Sequence, residues 1–279
     1  MSDQAPLFDR ALLAHRLTRK PKTEPDILTR TIAEELADRL SFVNRKFERA
    51  CLIAADPEPI AARLKESGQV AEIETRRPST DDFLDLPQNT YDALFSVLDL
   101  NTFNDVPGAL IQMRRALKPD GFFLGCLFAG DTLTELRQSW LAAEARVTGG
   151  VTPRVAPMID MRELGGLLQR AGLALPVADL DRTIVRYADA VALIHEIREL
   201  GLSNILKDRS RKIVTKRLLG AVINHYQQNF SDDDGRIRAT IEVAWATGWS
   251  PHESQQQPLK PGSAKARLAD ALKVPETKL

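Results

Sequence analysis

The chain has 279 residues, enough for one large domain, and its net charge is zero, which gives no sign of nucleic-acid binding. The two cysteines, Cys51 and Cys126, lie in apolar runs, which favours buried, reduced thiols and a cytoplasmic protein. No apolar run approaches the roughly 20 residues of a membrane span, and the first residues lack a signal-peptide core. We therefore expect neither a transmembrane segment nor a signal peptide.

Hydrophobic periodicity and turn residues predict the elements in chain order. The first half is predicted to hold a polar arm at 1–22, a helix at 24–43, a strand at 50–55, a helix at 57–67, a strand at 69–75, a loop at 79–87, a strand at 91–100, a helix at 104–118 and a strand at 122–128. The second half is predicted to hold a helix at 132–146, a loop at 149–158, a helix at 160–172, a strand at 176–187, helices at 188–201 and 209–230, a strand at 236–249 and a loose tail at 251–279.

The alternation of strands and helices between residues 50 and 128 predicts an α/β domain, with an open, mostly parallel sheet and helices on both faces. The late strand at 236–249 predicts an antiparallel edge strand, and the helices at about 189–230 form an insertion before it. One domain is therefore expected over 23–250. The cationic run KDRSRKIVTKR, Lys207–Arg217, favours a solvated helix face over a partner-binding patch.

This order of elements fits class I methyltransferases and dinucleotide-binding dehydrogenases equally. In both classes, the turn after the first strand holds a nucleotide-like cofactor and is rich in glycine. Here that turn, in the sequence RACLIAADPEPIAARL, contains Pro57 and Pro59 and no glycine. Proline fixes φ and removes a backbone donor, so the turn is a poor cradle for a cofactor.

Several longer motifs carry a resemblance that covers about Leu7 to Gln257. They are LKPDGFFLGCLFAGDTLTELR at 117–137, AEARVTGGVTPRVAPM at 143–158, GLSN at 201–204, DDDGRIRATIEVAWATGW at 232–249 and GWSPHESQQQP at 248–258. In these segments the chain resembles the methyltransferase-like complex I assembly factor family of the class I S-adenosylmethionine (SAM) methyltransferase superfamily. The resemblance implies a Rossmann-like fold, SAM as cofactor, and a protein substrate such as a complex I subunit. Within the family, the mitochondrial member is described as an arginine hydroxylase.

The resemblance also assigns cofactor-binding residues, although the first turn departs from the family pattern. Ile53 stands where the family has an acidic residue, and Ala55 stands where it has a glycine. The residues assigned to the cofactor are Ala55, Asp56, Glu74, Asp82, Phe83 and Asp99. In this assignment Glu74, or alternatively Glu72, holds the ribose.

In the same assignment the acidic loop around Asp82 and Phe83 meets the adenine, with a surface loop as the alternative. Asn101 and Thr102 replace the histidine and the aromatic residue that usually line this pocket. These replacements and the turn without glycine predict that SAM binding is weakened or lost.

Three residues are candidates for catalysis: Asp131, Asp99 and His252. Asp99 ends the third strand and Asp131 follows the fourth, at the carboxyl edge where open α/β sheets bind ligands. Asp131 could equally cap the helix that follows it. A histidine and carboxylate iron site is conceivable with His225, His252 and Glu253, but the spacing gives no argument for it, so no metal site is predicted.

Two functional hypotheses follow. In the first, the protein is a SAM-dependent enzyme, or a derivative of one, that acts on a protein during complex I assembly with a degenerate cofactor motif. In the second, it is a non-catalytic pseudo-methyltransferase that uses the old substrate face as a binding surface. No hydrolase, Walker or zinc motif offers a third class.

Overall fold

The computed structural model describes residues 5–18 and 27–256, so most of the predicted tail lies outside the described residues. The strands are β1 (Phe47–Ala54), β2 (Val70–Arg76), β3 (Tyr91–Val97), β4 (Leu117–Phe128), β5 (Ala174–Tyr187) and β6 (Ile237–Trp249). The helices are α1 (Arg10–Thr18), α2 (Ile27–Ser41), α3 (Pro57–Glu66), α4 (Val106–Ala116), α5 (Thr134–Thr148), α6 (Met161–Arg170), α7 (Ala190–Glu199) and α8 (Lys216–Phe230). None of these described helices is long and apolar enough to cross a membrane.

The described strands form one six-stranded sheet in the order β2-β1-β3-β4-β6-β5. Strands β1 to β4 are parallel to one another, and β6 runs antiparallel to both of its neighbours, β4 and β5. The predicted open, mostly parallel α/β sheet with an antiparallel edge is therefore confirmed, but the edge strand is β5, and the late strand β6 lies between β4 and β5. The direction of strand order reverses between β1 and β3, and such a switch point is where open α/β sheets bind ligands.

Helices cover both faces of the parallel part of the sheet. Helices α2 and α3 cover one face through a buried cluster that includes Leu36, Leu40, Leu52, Leu64 and Phe95. Helices α4 and α6 cover the other face through a second buried cluster that includes Leu94, Leu110, Met113, Phe123 and Leu168. Because β1, β3 and β4 are buried on both faces, their sequences are nearly continuous apolar runs.

Strands β5 and β6 extend beyond the rest of the sheet. Strand β4 ends at Phe128, which pairs with Val243, so the first half of β6 and its β5 partners continue as a two-stranded ribbon past the carboxyl edge. Helices α5, α7 and α8 pack near this ribbon around Leu136, Leu193 and Tyr226. The ribbon therefore forms a wall beside the sheet edge.

The structure differs from the predicted polar arm at 1–22, because residues 10–18 form helix α1. Leu13 and Leu17 are buried against Ile205 and Leu206, and Phe8 joins the same cluster. The apolar residues of this short helix are interspersed with charged residues, so its sequence resembles a solvated arm. Its tertiary contacts, rather than its intrinsic propensity, make it helical.

The cationic run also differs from its prediction. The helix expected at 209–230 begins only at Lys216, because the Thr215 hydroxyl accepts the backbone N–H of Leu218 as an N-cap. Residues 211–215 form a loop rather than the helix face that the sequence favoured.

Candidate functional site

The ends of β1 and β3 lie side by side at the switch point, which is the place where a cofactor is expected. Strand β1 ends at Ala54, the turn consists of Ala55 and Asp56, and α3 begins directly at Pro57. Proline suits the first turn of a helix because its missing N–H has no helical partner there. The turn is therefore short and stiff, and it lacks the glycines that let a backbone approach a ligand closely.

Helix α1 places the guanidinium of Arg10 at the end of β3, next to Asp99. Arg10 Nη1 lies 3.1 Å from Asp99 Oδ1 and donates to the Thr102 hydroxyl at 2.6 Å. The guanidinium also stacks on the Phe103 ring, with 3.7 Å between Cζ and the ring centroid. Both charged side chains are almost completely buried.

Burial raises the pKa of the Asp99 carboxyl above its usual range, and the charge of Arg10 and the hydrogen bond from Thr102 act against that rise. Asp99 is therefore part of a buried ion pair with a residue of its own chain. A carboxylate held in this way is not free to serve as a general base or to bind a cofactor, which corrects both roles that the sequence assigned to it.

Helix α1 also fills the space beside Arg10. Leu13 and Leu17 pack in front of the first turn, and Leu202 approaches the same place from the segment after α7. The cavity that remains between the ends of β1 and β3 has a volume of about 60 Å³. Typical ligand pockets measure roughly 300–1,000 Å³.

Glu74, the predicted ribose ligand, is engaged within the sheet. Its carboxylate accepts the Tyr91 hydroxyl at 2.8 Å and the side chain of Arg76 at 2.9 Å. Burial favours the neutral acid, but the hydrogen bonds from Tyr91 and Arg76 outweigh it and hold the pKa of Glu74 below its usual value. The residue at the end of β2 is Arg76, so the position where a ribose carboxylate is expected carries a cation.

The acidic loop lies where the sequence placed it, at the carboxyl edge near Arg10. The Asp82 carboxylate accepts the backbone N–H of Asn104 at 3.1 Å and lies 4.0 Å from Arg10 Nε. Phe83 is 65% exposed. Asp82 therefore serves to hold the loop after β3, and Phe83 is a surface side chain in this structure.

Asp131 does not cap α5, so that prediction is wrong. The helix begins at Thr134, its N-cap position is Leu133, and no side chain caps it. The backbone N–H of Asp131 donates to Glu242 Oε2 at 2.8 Å, while its carboxylate is mostly exposed and lies 3.9 Å from Arg182 Nη1.

Glu242 of β6 organises this end of β4. Its buried carboxylate lies 3.4 Å from Arg182 Nη1, and its backbone N–H donates to the Thr132 hydroxyl at 2.9 Å. Gly130 has φ of +49°, and a Cβ at this position would overlap the Glu242 carboxylate. The sequence GD at 130–131 is thus explained by a close approach of Gly130 to a buried acid.

His252 lies at the opposite edge of the sheet. It follows β6, whose last residues pair with the start of β4, and Ser250 exchanges backbone hydrogen bonds with Asp120 and Gly121. The exposed His252 ring contacts the Ser254 hydroxyl at 2.7 Å. The structure therefore separates His252 from Asp99 and Asp131, and the role in catalysis suggested for it has no support.

An open cleft lies beside the filled switch point, with a volume of about 930 Å³. Its walls come from α1, α2, α5, α7, the β5–β6 ribbon and the segments 101–102, 154–158 and 200–205. Leu13 and Thr102 also line the small cavity at the switch point. Apolar side chains that line it include Leu28, Phe128, Leu133, Ile197 and Val243. Arg182, Thr183, Arg186 and Glu196 add polar groups along the ribbon and α7.

The loop over the cleft is fixed by a buried carboxylate. Glu144 of α5 accepts the backbone N–H of Thr152 at 2.6 Å and pairs with Arg154 Nη2 at 2.6 Å. Arg154 also stacks on Trp140, with 4.8 Å between Cζ and the ring centroid. The predicted loop at 149–158 is therefore structured, and its second half forms a wall of the cleft.

The residues that the sequence analysis missed are Arg10, Arg182 and Glu242. Arg10 lies in a segment with little periodicity, and charged residues within a strand or a helix are ordinary surface residues in a single sequence. Only the tertiary structure shows that Arg10 and Glu242 are buried. Across residues 5–18 and 27–256, no group of three or more His, Cys, Asp or Glu side chains is arranged to hold a metal ion.

Comparison with known proteins shows the family to which this chain belongs. The Methyltransferase domain family matches residues 36–125. The mitochondrial arginine-hydroxylase NDUFAF5 of Rattus norvegicus is 33% identical over 97% of this chain and 85% of its own length. The human protein of the same name is 32% identical over 96% of this chain and 84% of its own length. The chain belongs to the NDUFAF5 family.

The fold is that of class I methyltransferases, which confirms the prediction. The YcgJ protein of Bacillus subtilis superimposes with a TM-score of 0.50 over 78% of this chain and 99% of its own, at 14% identity. A Bacillus halodurans protein described as a methyltransferase superimposes with a TM-score of 0.51 over 78% of this chain and all of its own, at 11% identity.

SAM, the cofactor that this fold implies, does not fit the residues at the switch point. Arg10, Leu13 and Leu17 occupy the volume beside the first turn, and the remaining cavity is about 60 Å³. The residue in place of the ribose acid, Arg76, is a cation. No reaction step can therefore be derived through SAM from this arrangement.

Proposed function

We propose that this NDUFAF5-family protein is a complex I assembly factor that holds a polypeptide segment of a complex I subunit in the open cleft. We further propose that it does so without methyl transfer, because the residues at the switch point do not fit SAM. This is the pseudo-methyltransferase hypothesis, and the cytoplasm remains the predicted compartment.

The observation that carries the proposal is the contrast between the filled switch point and the open cleft next to it. A cleft of about 930 Å³ with apolar walls and polar groups along one side suits an extended segment of several residues. The cleft floor is the β4–β6 part of the sheet edge, and open α/β sheets bind ligands at the carboxyl ends of their strands. Its walls are held by Glu144 and Glu242, so it is preorganised for binding.

A second candidate function is modification of an arginine, as the name of the NDUFAF5 relatives states for them. Glu196 lines the cleft beside Tyr187, and burial together with a hydrogen bond to Glu196 raises the pKa of that phenol. A carboxylate inside an apolar cleft is a suitable partner for a guanidinium. This candidate shares the polypeptide in the cleft with the first and differs from it only in the chemistry.

Calorimetric titration tests the loss of the SAM site. The purified protein should release no heat with SAM or S-adenosylhomocysteine at concentrations that saturate ordinary methyltransferases. Tight binding of either compound, with a low micromolar Kd, would overturn the loss of the site and restore the methyltransferase hypothesis.

Two neighbouring residues of β5 test the cleft itself. Thr183 lines the cleft, whereas the neighbouring Ile184 does not and is 54% exposed. Tryptophan is well accepted in strands, so Thr183→Trp and Ile184→Trp should both fold normally. In a deletion strain of the host, Thr183→Trp should fail to restore membrane NADH:ubiquinone oxidoreductase activity, and Ile184→Trp should restore it. Equal activity of the two variants would contradict a role for the cleft.

A further inference from the structure

The segment Arg211–Arg217, RKIVTKR, which we name the basic loop, is exposed at every residue. It holds four cations and no acidic residue. Among the described residues, none of the four makes an ion pair. Ile213 at its tip is 92% exposed, and Val214 beside it is 36% exposed. Large aliphatic side chains at a loop tip between cations do not contribute to the core.

The cations of the basic loop do not stabilise the fold either. Lys216 and Arg217 occupy the first turn of α8, which contains no acidic residue. The amino end of a helix carries a partial positive charge, so cations there oppose helix stability. Lys216 and Arg217 oppose the helix dipole, and Ile213 is exposed to water. These residues are therefore explained better by binding to a partner than by a contribution to folding.

The residues on both sides of the basic loop are packed against the rest of the protein. Leu206 is buried against α1, and the backbone N–H of Lys207 donates to Leu7 at 2.9 Å. On the other side, Leu218 is buried against α5 in a cluster with Val222. The loop is thus presented outward from two packed elements.

We propose that the basic loop docks the protein on an anionic lipid bilayer. Ile213 and Val214 enter the boundary between headgroups and acyl chains, and Arg211, Lys212 and the cations at the start of α8 contact lipid phosphates. A bilayer surface offers an apolar layer directly beneath a layer of negative charge, which matches an aliphatic tip surrounded by cations. An acidic protein surface would match the cations and leave the isoleucine without an apolar partner.

Co-sedimentation of the full chain with vesicles tests the proposal. Vesicles of phosphatidylcholine with about 30% phosphatidylglycerol should bind the protein, and vesicles of phosphatidylcholine alone should not. One Lys or Arg near such a surface strengthens binding about fivefold, so Arg211→Ala/Lys212→Ala should weaken it about twenty- to thirtyfold. Ile213→Ser should weaken it about tenfold at unchanged charge.

Two further variants separate docking from general charge and from folding. Arg63→Ala/Lys65→Ala on α3 removes the same charge from a helix that packs on β1 and β2, and it should leave vesicle binding within about twofold of wild type. Lys216→Glu should raise thermal stability, since it places an acid at the start of α8, and yet weaken vesicle binding. This opposite change in the two readouts cannot arise from damage to the fold.

Equal binding to neutral and anionic vesicles would overturn the proposal, as would equal losses in the α3 and loop variants. If the loop variants keep full vesicle binding but fail to restore complex I activity, the loop contacts a protein and the lipid proposal is wrong. These outcomes are independent of the cleft, because the Thr183→Trp variant is expected to bind vesicles like wild type.

Discussion

The carboxyl edge of the sheet has a closed half and an open half. At the closed half, between the ends of β1 and β3, helix α1 inserts Arg10, Leu13 and Leu17 and leaves about 60 Å³. At the open half, beside β4 and the β5–β6 ribbon, a cleft of about 930 Å³ remains. The two halves belong to one fold and one edge, and they differ in what the rest of the chain places over them.

The two halves differ in what their buried acids contact. The closed half is filled by a charged side chain that pairs with Asp99, so the buried acid has a permanent partner. In the open half, Glu144 and Glu242 bind backbone groups of the walls and leave the space between them free. Buried acids therefore hold both halves in place. Only in the closed half does the partner of the acid, Arg10, fill the space of the site.

The largest effect is expected when Arg10, which fills the closed half, is replaced. Arg10→Ala leaves the Asp99 carboxylate buried without its charged partner, and it should lower the free energy of unfolding by about 3–5 kcal/mol. Chemical denaturation measures this loss. In the double variant Arg10→Ala/Asp99→Asn the unpaired charge is gone, so a large part of the stability should return. A loss below about 1 kcal/mol in the single variant would show that the pair does not hold the closed half.

In the open half, Gly130→Ala should have the second largest effect. A Cβ at Gly130 would displace the Glu242 carboxylate, and φ of +49° adds strain for any residue with a side chain. The expected loss is about 2–4 kcal/mol, from roughly 1 kcal/mol of strain and the rest from disrupted hydrogen bonds of a buried acid.

Gly149→Ala is the matched control for that variant. Gly149 has φ of +71° and open space around its Cβ position, so it reports backbone strain alone, about 1 kcal/mol. The difference between the two variants, measured by thermal denaturation, isolates the contact with Glu242. Equal losses would mean that Glu242 can move aside and that the wall of the cleft is soft.

The sequence predicted most of the fold because the strands β1, β3 and β4 are apolar runs flanked by turn residues. Their burial on both faces favours apolar residues at most of those positions. Helix α1 could not be predicted in this way, since its two buried leucines are stabilised by Ile205 and Leu206, nearly two hundred residues away. The basic loop was predicted as part of a helix, but the β-branched Ile213 and Val214 have low helix propensity, and the N-cap Thr215 sets the boundary at Lys216.

The candidate site was predicted in part. The turn without glycine is present as the sequence placed it, since Pro57 begins α3 directly, and the weakened binding of SAM stays a prediction. The individual acids were predicted less well, because a sequence does not show what a carboxylate contacts. Asp99 is paired with Arg10, and Glu74 with Tyr91 and Arg76, although both lie in strands or at a strand end as expected.

Tyr91→Phe tests the hydrogen bond from Tyr91 to Glu74, and it should have a moderate effect on stability. Removal of the Tyr91 hydroxyl should lower the free energy of unfolding by about 1 kcal/mol at neutral pH. The folded state holds the pKa of Glu74 below its ordinary value of 4.5, so the associated stability is present above that pH and is lost as the pH falls through the lowered pKa. The difference between wild type and variant should therefore shrink as the pH falls below 4.5 and through the lowered pKa of Glu74. An unchanged difference would indicate that the hydroxyl bond does not depend on the charge of Glu74.

The smallest effect is expected for Asp131→Ala, in the open half. The backbone of Asp131 binds Glu242 and Thr134, but its carboxylate is exposed and only near Arg182. The free energy of unfolding should therefore stay within about 0.5 kcal/mol of wild type. Asp105→Ala is the matched control, since the Asp105 carboxylate accepts the N–H of Gly108 at 2.9 Å as a true N-cap and its loss should cost about 1 kcal/mol. If both variants lose stability equally, Asp131 acts as a cap after all. If Asp131→Ala is as stable as wild type but cannot restore complex I activity, its carboxylate acts on the occupant of the cleft, and the open half is more than a binding surface.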